Sequence, residues 1–469
     1  MTTLEPPKAT STLADANLQL AIYAATGRLM DKRKGSIAES DLPDYQELRS
    51  HAHELKKHTI ENLDFYLEQF EENVAKHGGT VVYCRDGTEV ADFVLKLARE
   101  RGARLVVKSK SMTTEEIDLN ERLEHHHLEA VETDLGEYIL QINDNEAPSH
   151  IIAPVIHKDK EEISDLFAKA HGTPRKTEIN DLTGEARKVL RGHFLSADMG
   201  ITGANFLIAE TGTATVVTNE GNEGMCTIMP PKVHVVLTGV EKVLPTLEDV
   251  ATLMRLLPRS ATGQPISNYF SLLTGPRRAG ELDGPEHMYY VLVDGGRTGL
   301  LGGDFQEMLR CIRCGACMNH CPVYQKIGGH AYGWVYPGPM GSVLTPSYTG
   351  LENALDLPHA ATLCGQCTVV CPVKIPLPDL LRKLREKQFE RGLRPWYERA
   401  ALMSWGWAAR NPSLYRFGAR IAARVLKWMG GSEGRITSLP VGAGWTRHRD
   451  FPAPSGKTFI ELYKERRRA

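Results

Sequence analysis

No stretch of this 469-residue chain comes near the ~18 to 20 consecutive apolar residues that a helical membrane span requires, so the sequence argues against an integral membrane class. The opening MTTLEPPKATSTLADANLQL has neither a basic start nor the apolar centre of a secretory signal, and the expected compartment is the cytoplasm. No G-x-G-x-x-G stands at a strand-to-helix junction. Its absence removes the usual nicotinamide and flavin fingerprint, and with it a self-sufficient hydride-transferring dehydrogenase. The net charge of -2 supplies no footprint for nucleic acid. Two further absences are easily misread. PSGKT at Pro454 to Thr458 looks like the end of a P-loop, but Phe451 stands where the first glycine is needed. His125, His126 and His127 are consecutive, so they cannot share one helix face as a ligand set and are expected to be an exposed polar run.

Cysteine is abundant in one place. Seven of the nine cysteines fall in CIRCGACMNHCP, Cys311 to Pro322, and CGQCTVVCP, Cys364 to Pro372. The first run is C-x2-C-x2-C-x3-C-P, the bacterial ferredoxin spacing, in which three thiolates on one loop grip a cubane and the fourth serves the other cluster. The second run keeps only the end of that pattern, and its missing first cysteine falls at Ala361. Crossed ligation then assigns Cys311, Cys314, Cys317 and Cys371 to one [4Fe-4S] cluster, and Cys321, Cys364 and Cys367 to a second. The second site is one thiolate short. His359, a solvent or substrate atom, a partner residue, or a [3Fe-4S] cluster lacking the fourth iron each account for the deficit. Paired CxxC runs also suit structural zinc, but seven cysteines with two Cys-Pro endings fit tetrahedral zinc poorly. The spacing therefore predicts an iron-sulfur protein working by one-electron transfer. Cys84 and Cys226 stand alone and are expected to be small buried residues.

Along the chain the length suggests two or three domains. Residues 1–77 read as a helical lead-in ended by Gly78-Gly79, with Leu48, Leu55, Ile60, Leu63, Leu67 and Phe70 recurring among charges. From Thr80 short apolar runs alternate with amphipathic stretches: TVVYC, ARLVVKSK, EAVETD and SHIIAPVIH read as buried strands of an α/β layer architecture. Thr113 and Glu116 have capping-box spacing. ANFLIAETGTATVVTNEGN reads as a hairpin around Glu210-Thr211-Gly212, followed by the strand VHVVLTG, and the α/β domain closes near Val291 to Arg297. Between the cysteine loops, GGHAYGWVYPGPMGSVLTPSY favours irregular structure. The expected division is 1–77 helical, 78–299 α/β, 300–392 cluster module and 393–469 C-terminal region. Residues 391–430 hold eight Arg or Lys against one acidic residue. In NPSLYRFGARIAARVLKW, with Asn411 as N-cap, Leu414, Phe417, Ile421, Val425 and Trp428 form an apolar stripe beside Arg416, Arg420, Arg424 and Lys427. That is either a docking helix for a partner subunit or anionic membrane surface, or a helix packed on its own protein.

In parallel α/β sheets ligands bind beyond the carboxyl ends of strands, which makes candidates of Lys108-Ser109-Lys110, Asp134 to Glu137, Asn205, Glu210-Thr211 and Asn219-Glu220-Gly221-Asn222.

Several long strings, VVKSKSMTTEEIDLN, VETDLGEYILQI, ADMGITGANFLIAETGT, both cysteine loops with their flanks, and the ending GWTRHRDFPAPSGKTF, resemble the lactate utilization protein B family over nearly the whole chain. The resemblance implies a central LUD domain of a fold similar to ribose-5-phosphate isomerase and CoA-transferase domains. It implies the seven cluster cysteines one for one, so that the short second site is a family feature. It also implies an electron carrier working with two companion proteins in oxidising L-lactate to pyruvate. Two readings follow. In one, the LUD domain is a scaffold and the chain a carrier; an iron-sulfur subunit of a glycolate-type oxidase is the near alternative. In the other, the LUD domain itself binds a 2-hydroxy acid or a thioester-like ligand, with Glu210 or Glu220 as base and Lys108 or Arg277 holding a carboxylate. The second requires these side chains to converge in a pocket open toward Cys321 and Cys364.

Overall fold

The computed structural model describes residues 9–230, 232–439, 442–446 and 449–468. The first eight residues of the opening, and Arg447 and His448 of the GWTRHRDFPAPSGKTF ending, lie outside the described residues. The chain forms two compact units, Met1–Lys387 and Gln388–Ala469.

The larger unit is built on a six-stranded, wholly parallel sheet. Its strands are β1 (Thr80–Cys84), β2 (Leu105–Lys108), β3 (Glu129–Glu132), β4 (Met199–Thr202), β7 (Val233–Gly239) and β10 (His287–Val293), in the order β1-β10-β7-β4-β2-β3. A second sheet, in the order β8-β5-β6-β9, contains β5 (Phe206–Ile208), β6 (Thr213–Thr218), β8 (Val243–Leu244) and β9 (Tyr269–Leu273). The β5-β6 pair is the hairpin expected around Glu210-Thr211-Gly212.

Parallel strands buried on both faces require apolar residues at successive positions, because neighbouring side chains point to opposite sides. Val106, Ala130, Ile201, Val235 and Val291 pack with Val90, Val94 and Leu97 of the helix Gly87–Arg101. On the other face Val107 and Val131 meet Leu190 and Phe194 of Ile179–Ser196, while Val236, Tyr290 and Leu292 meet Phe70 and Val74 of Leu63–Lys76. Cys84 and Cys226 are buried in these cores, as their isolation suggested.

The helical lead-in consists of Ala9–Ala14, Ala16–Ser36, Tyr45–Glu61 and Leu63–Lys76, and Gly78 ends it at φ 81°. Three local expectations need correction. SHIIAPVIH is a chain of turns, because His150 Nδ1 accepts hydrogen bonds from the Ile152 and Ala153 backbone N–H groups and holds the segment in a tight bend. Thr113 caps nothing: the helix begins at Met112, and Glu116 is drawn away into an ion pair with Arg297. The connection between the cysteine loops contains the helix Gly338–Thr349, which tolerates Pro339 in its first turn and buries Met340, Val343 and Leu344. His125 to His127 form an exposed turn.

A buried ion-pair network joins the α/β sheet to the cluster module. Arg297 donates to both Glu116 oxygens at 2.9 and 2.8 Å and to Glu241 at 2.7 Å; Tyr336 donates to Glu116 at 2.9 Å. Arg313, inside the first cysteine loop, lies 3.4 Å from Glu241 and over the Tyr336 ring, and Lys56 of the lead-in donates to the Glu241 carbonyl at 2.7 Å. A second seam is backbone-close: a Cβ at Gly329 would lie 1.8 Å from the Ser149 carbonyl oxygen, and Tyr324 donates to that same oxygen.

In the smaller unit, Trp396–Ala409 and Pro412–Met429 form two helices with no buried residue in either, exposing Trp396, Trp405, Trp407, Phe417, Ile421 and Trp428. Thr458, from the P-loop look-alike, forms a capping box with Glu461 at the start of Phe459–Arg468, a structural use of that string. No described helix is long and apolar enough to cross a membrane.

Removing Arg297 takes the cation from buried Glu116 and the nearer of two from buried Glu241, and breaking a buried pair in this way costs about 3–5 kcal/mol. Arg297→Met is therefore expected to lose that much stability in urea denaturation of the whole chain. A loss below about 1 kcal/mol would show that the network does not hold the module to the sheet.

Candidate functional site

The two cysteine loops have the same backbone. Cys314 is flanked by Arg313 at φ 58° and Gly315 at φ 74°, and Cys364 by Leu363 at φ 56° and Gly365 at φ 84°. Each loop then enters a short helix, Ala316–Asn319 or Gln366–Val370, that carries the next cysteine. Left-handed conformation costs a non-glycine residue on the order of 1 kcal/mol or more, and such strain gathers where a ligand geometry over-determines the chain. Its repetition at Arg313 and Leu363 marks the loops as paired copies of one device.

The thiols fall into two sets. Cys311, Cys314, Cys317 and Cys371 line one small cavity with Met308, Met340, Ile375 and Leu377. Burial, then Cys371, pushes the Cys314 thiol up to about 12; burial, then hydrogen bonding and Cys311, leaves Cys371 at about 11. In the other set, burial, then Cys321, pushes Cys367 up to about 12, with Cys364 adding to it. Cys317 lies at the junction, raised by burial first and then by Cys314, Cys311 and Cys371 on its own side and Cys367 across it. Cys364 is exposed, and its pKa is lowered by a hydrogen bond from the Gln366 backbone.

This donor set fits iron-sulfur clusters. Buried thiols that crowd one another need a cation to become thiolates. Around tetrahedral zinc, with Zn–S about 2.3 Å, sulfurs sit about 3.8 Å apart. Among the described residues no three cysteines bring their sulfurs within 4.8 Å of one another; the one group of His, Cys, Asp or Glu that does approach so closely is Glu146, His157 and His330. Positive charge beside Cys311 is also in excess. Among the described residues, the buried Lys56, Arg297 and Arg313 contact the buried Glu116 and Glu241, and buried Lys242 is next to Glu241 in the chain. Burial, then Lys242, lowers Lys56 to about 7, and burial, then Arg313, lowers Lys242 to about 8. A cluster with its thiolates is anionic and would meet that excess. Position 361, where the first cysteine is missing, is occupied by an alanine whose carbonyl accepts from Arg385 at 2.9 Å, and His359 lies exposed at the end of the turn Leu357–His359.

The lead-in helices supply a clamp that the sequence did not reveal. Arg49 donates to the Cys371 carbonyl at 3.0 and 2.7 Å and to the Thr368 carbonyl at 3.2 Å; Arg33 donates to the Val370 carbonyl at 3.0 Å. Both guanidinium groups lie over the Tyr45 ring. Two arginines 16 residues apart on separate helices carry no sequence signal that would separate them from surface charge.

The α/β candidates disperse. Lys108 is fully buried, held by Glu132 at 2.6 Å, Glu115 at 2.8 Å and Thr114 at 2.7 Å. Glu210 accepts from the Leu247 backbone at the start of the helix Leu247–Ala261. Arg277 pairs with Glu286 on a shallow outer surface. Only Glu220 lines the main cavity, of about 350 Å³, where it accepts from the Leu135 backbone and is pushed up to about 7 by burial first and Asp134 second. Ser109, Lys110, Asp134, Asn205, Asn219 and Asn222 from the sequence-picked clusters line the same cavity, with Glu223, Glu241, Lys242 and Arg313. It reaches the cysteine loops through Arg313, beside Cys314, and none of its lining comes from around Cys321 or Cys364.

Comparison with known proteins agrees with this architecture. The LUD domain family matches residues 67–293, the 4Fe-4S dicluster domain residues 307–375, and the family described as lactate utilisation protein B, C-terminal, residues 382–468. The lactate utilization protein B of Geobacillus kaustophilus (strain HTA426) is 47% identical over 93% of this chain and 91% of its own. That of Bacillus licheniformis is 45% identical over 96% and 94%. A solved DUF162 family protein from Deinococcus radiodurans overlays 49% of this chain and 98% of its own at 14% identity and a TM-score of 0.28.

Two outcomes test the site. Arg49→Met touches no thiol yet frees the second loop, and it is expected to lower iron content after reconstitution by about four irons per chain; full loading would show the clamp to be dispensable. Burial alone pushes the Glu223 carboxyl up to about 8, above its unfolded value of 4.5, so the stability it contributes is present at low pH and is lost as pH rises through about 8. Glu223→Gln should therefore stabilise the fold more at pH 9 than at pH 6, by at least about 1.4 kcal/mol, the worth of one pKa unit. Equal effects at both pH values would mean the carboxyl is not held protonated.

Proposed function

This chain belongs to the lactate utilization protein B family, and from that premise we propose that it is the iron-sulfur electron carrier of an assembly that oxidises L-lactate to pyruvate. The observation that carries the reading is the convergence of Cys311, Cys314, Cys317 and Cys371, drawn from both cysteine loops, on one cavity, with Cys321, Cys364 and Cys367 left as a second thiol set. In this reading Cys311, Cys314, Cys317 and Cys371 hold the first cluster, and Cys321, Cys364 and Cys367 the second. When bound, the two clusters supply neighbouring one-electron sites whose potentials follow charge, hydrogen bonding to sulfur and burial. The protein sets those terms unevenly. Around the first site it places Arg313, Lys242 and Lys56 and removes water by burying Met308, Met340 and Leu377. At the second it leaves Cys364 at the surface, a suitable exit or entry for an external partner.

Two companion proteins would supply the donor and acceptor. The unburied helices of the smaller unit, with their tryptophans and basic residues, support a docking role for residues 393–469. An anionic membrane surface has the same chemistry and is the alternative occupant. A glycolate-type oxidase subunit would share the cluster logic but does not call for the LUD domain.

Low-temperature EPR with iron and sulfide quantitation on anaerobically purified protein tests the carrier reading. About eight irons and two interacting signals after dithionite reduction are expected. About seven irons with a signal in the oxidised state would assign a [3Fe-4S] cluster to Cys321, Cys364 and Cys367. Zinc without iron, after reconstitution as well, would overturn the carrier reading.

A further inference from the structure

The main cavity lies where the chain reverses its direction through the parallel sheet. From β2 the chain moves outward to the edge strand β3, then returns to β4 and proceeds the opposite way to β7 and β10. The turns after β2 and β4 therefore diverge, and a crevice opens between them at the strands' carboxyl ends, the general ligand position in open α/β sheets. Ser109 to Thr113 follow β2 and Gly203 to Asn205 follow β4, and both segments line the cavity. Its volume of about 350 Å³ is that of a small-molecule site.

The lining contains buried polar atoms without a hydrogen-bond partner in the protein, some of them on side chains that the fold also uses elsewhere. Ser109 Oγ, Lys110 Nζ, both oxygens of Glu223 and Arg313 Nη1 are buried without a hydrogen-bond partner in the protein. Lys110 stands 3.5 Å from Glu137, too far for a good hydrogen bond, and Ser109 and Glu223 are each 2% exposed. A buried polar group left unmade costs about 1–3 kcal/mol, and orphans gathered in one cavity mark a place able to hold a bound polar group. The lining sets Lys110, Lys242 and Arg313 beside Asp134, Glu220, Glu223 and Glu241. Lys110 and Arg313 already have ion-pair partners in Glu137 and Glu241, yet Lys110 Nζ and Arg313 Nη1 keep N–H groups free to meet an anionic oxygen, and Ser109 and Glu223 suit a neighbouring hydroxyl or carbonyl oxygen. Arg313 also lines the cavity of Cys311, Cys314, Cys317 and Cys371, so the two sites share a wall.

We propose that this chain itself binds a small organic carboxylate bearing an oxygen on the adjacent carbon, a 2-hydroxy or 2-oxo acid, in the LUD cavity beside the first cysteine set. The choice of acid rests on the proposed function; the site rests on the orphaned groups and the shared arginine. Ser109 and Lys110 are binding residues here, and Lys108, Glu210 and Arg277 are not.

The test uses the full-length, cluster-loaded protein in calorimetric titrations with L-lactate, pyruvate, propionate and inorganic phosphate, alongside EPR of the reduced protein. Expected are saturable binding of lactate or pyruvate at about 1 mM or tighter, binding at least ten-fold weaker for propionate and phosphate, and a shift of one cluster signal on adding the acid. Ser109→Ala and Lys110→Gln should each weaken binding at least ten-fold with iron content unchanged. No saturable binding up to about 10 mM, equal binding of propionate or phosphate, or unchanged affinity in both variants overturns the proposal while loaded clusters leave the carrier reading standing. If Lys110→Gln fails to fold, Ser109→Ala decides alone, since it removes one hydroxyl. Failure of the wild-type chain to load iron removes the carrier reading instead, and the titrations, which need only the folded cavity, still decide this one.

Discussion

Arg297 is the residue on which the arrangement of the larger unit depends. It sits between Glu116, from the short helix Met112–Glu116 after β2, and Glu241, from the turn after β7, and through Glu241 it is linked to Arg313 inside the first cysteine loop. Charges this deeply buried are tolerated only when paired with good geometry, and the bidentate contact to Glu116 provides it. The consequence is architectural: the carboxyl ends of the sheet, the lead-in helix bearing Lys56 and the cluster module meet at one point with little freedom to move apart.

That junction is unbalanced in charge, and the imbalance has a direction. Four buried cations face two carboxylates, and the surplus lies beside Cys311. Burial first, and the neighbouring cations second, lower the pKa of Lys56 and Lys242; beside an anionic group the surplus becomes stabilising. The opposite side of the cysteine module is held by hydrogen bonds from the Arg33 and Arg49 guanidinium groups to backbone carbonyls of the second loop, which fix the position of Cys371. The first set is thereby enclosed by arginines and lysines from three parts of the chain, while Cys364 faces outward.

Legibility from sequence differed by element. The parallel strands were readable because burial on both faces demands apolar runs, as in TVVYC and VHVVLTG. SHIIAPVIH has the same composition but turns, because a histidine ring nitrogen satisfies two backbone N–H groups locally. The Pro- and Gly-rich connection holds a helix because tertiary burial of Met340, Val343 and Leu344 outweighs weak propensity. Among the polar clusters, the strand-end rule picked out Ser109, Lys110, Asp134, Asn205, Asn219, Glu220 and Asn222, which line one cavity, and also Lys108 and Glu210, which do not. Lys108 and Lys110 are two residues apart and point to the same side in an extended chain, yet one is consumed by three partners and the other is left without a hydrogen bond.

By itself the sequence determined the chemistry at the cysteines and the family, since C-x2-C-x2-C-x3-C-P spacing is a local property of two short loops and long shared strings survive without knowledge of the fold. Only the tertiary structure decided which helices clamp those loops, which of the candidate carboxylates and amines line the cavity, and that the cavity shares Arg313 with the first cysteine set. The reason is distance along the chain: ligand spacing is encoded within a dozen residues, whereas Arg49 reaches Cys371 and Arg297 reaches Glu116 across separations that no local pattern records.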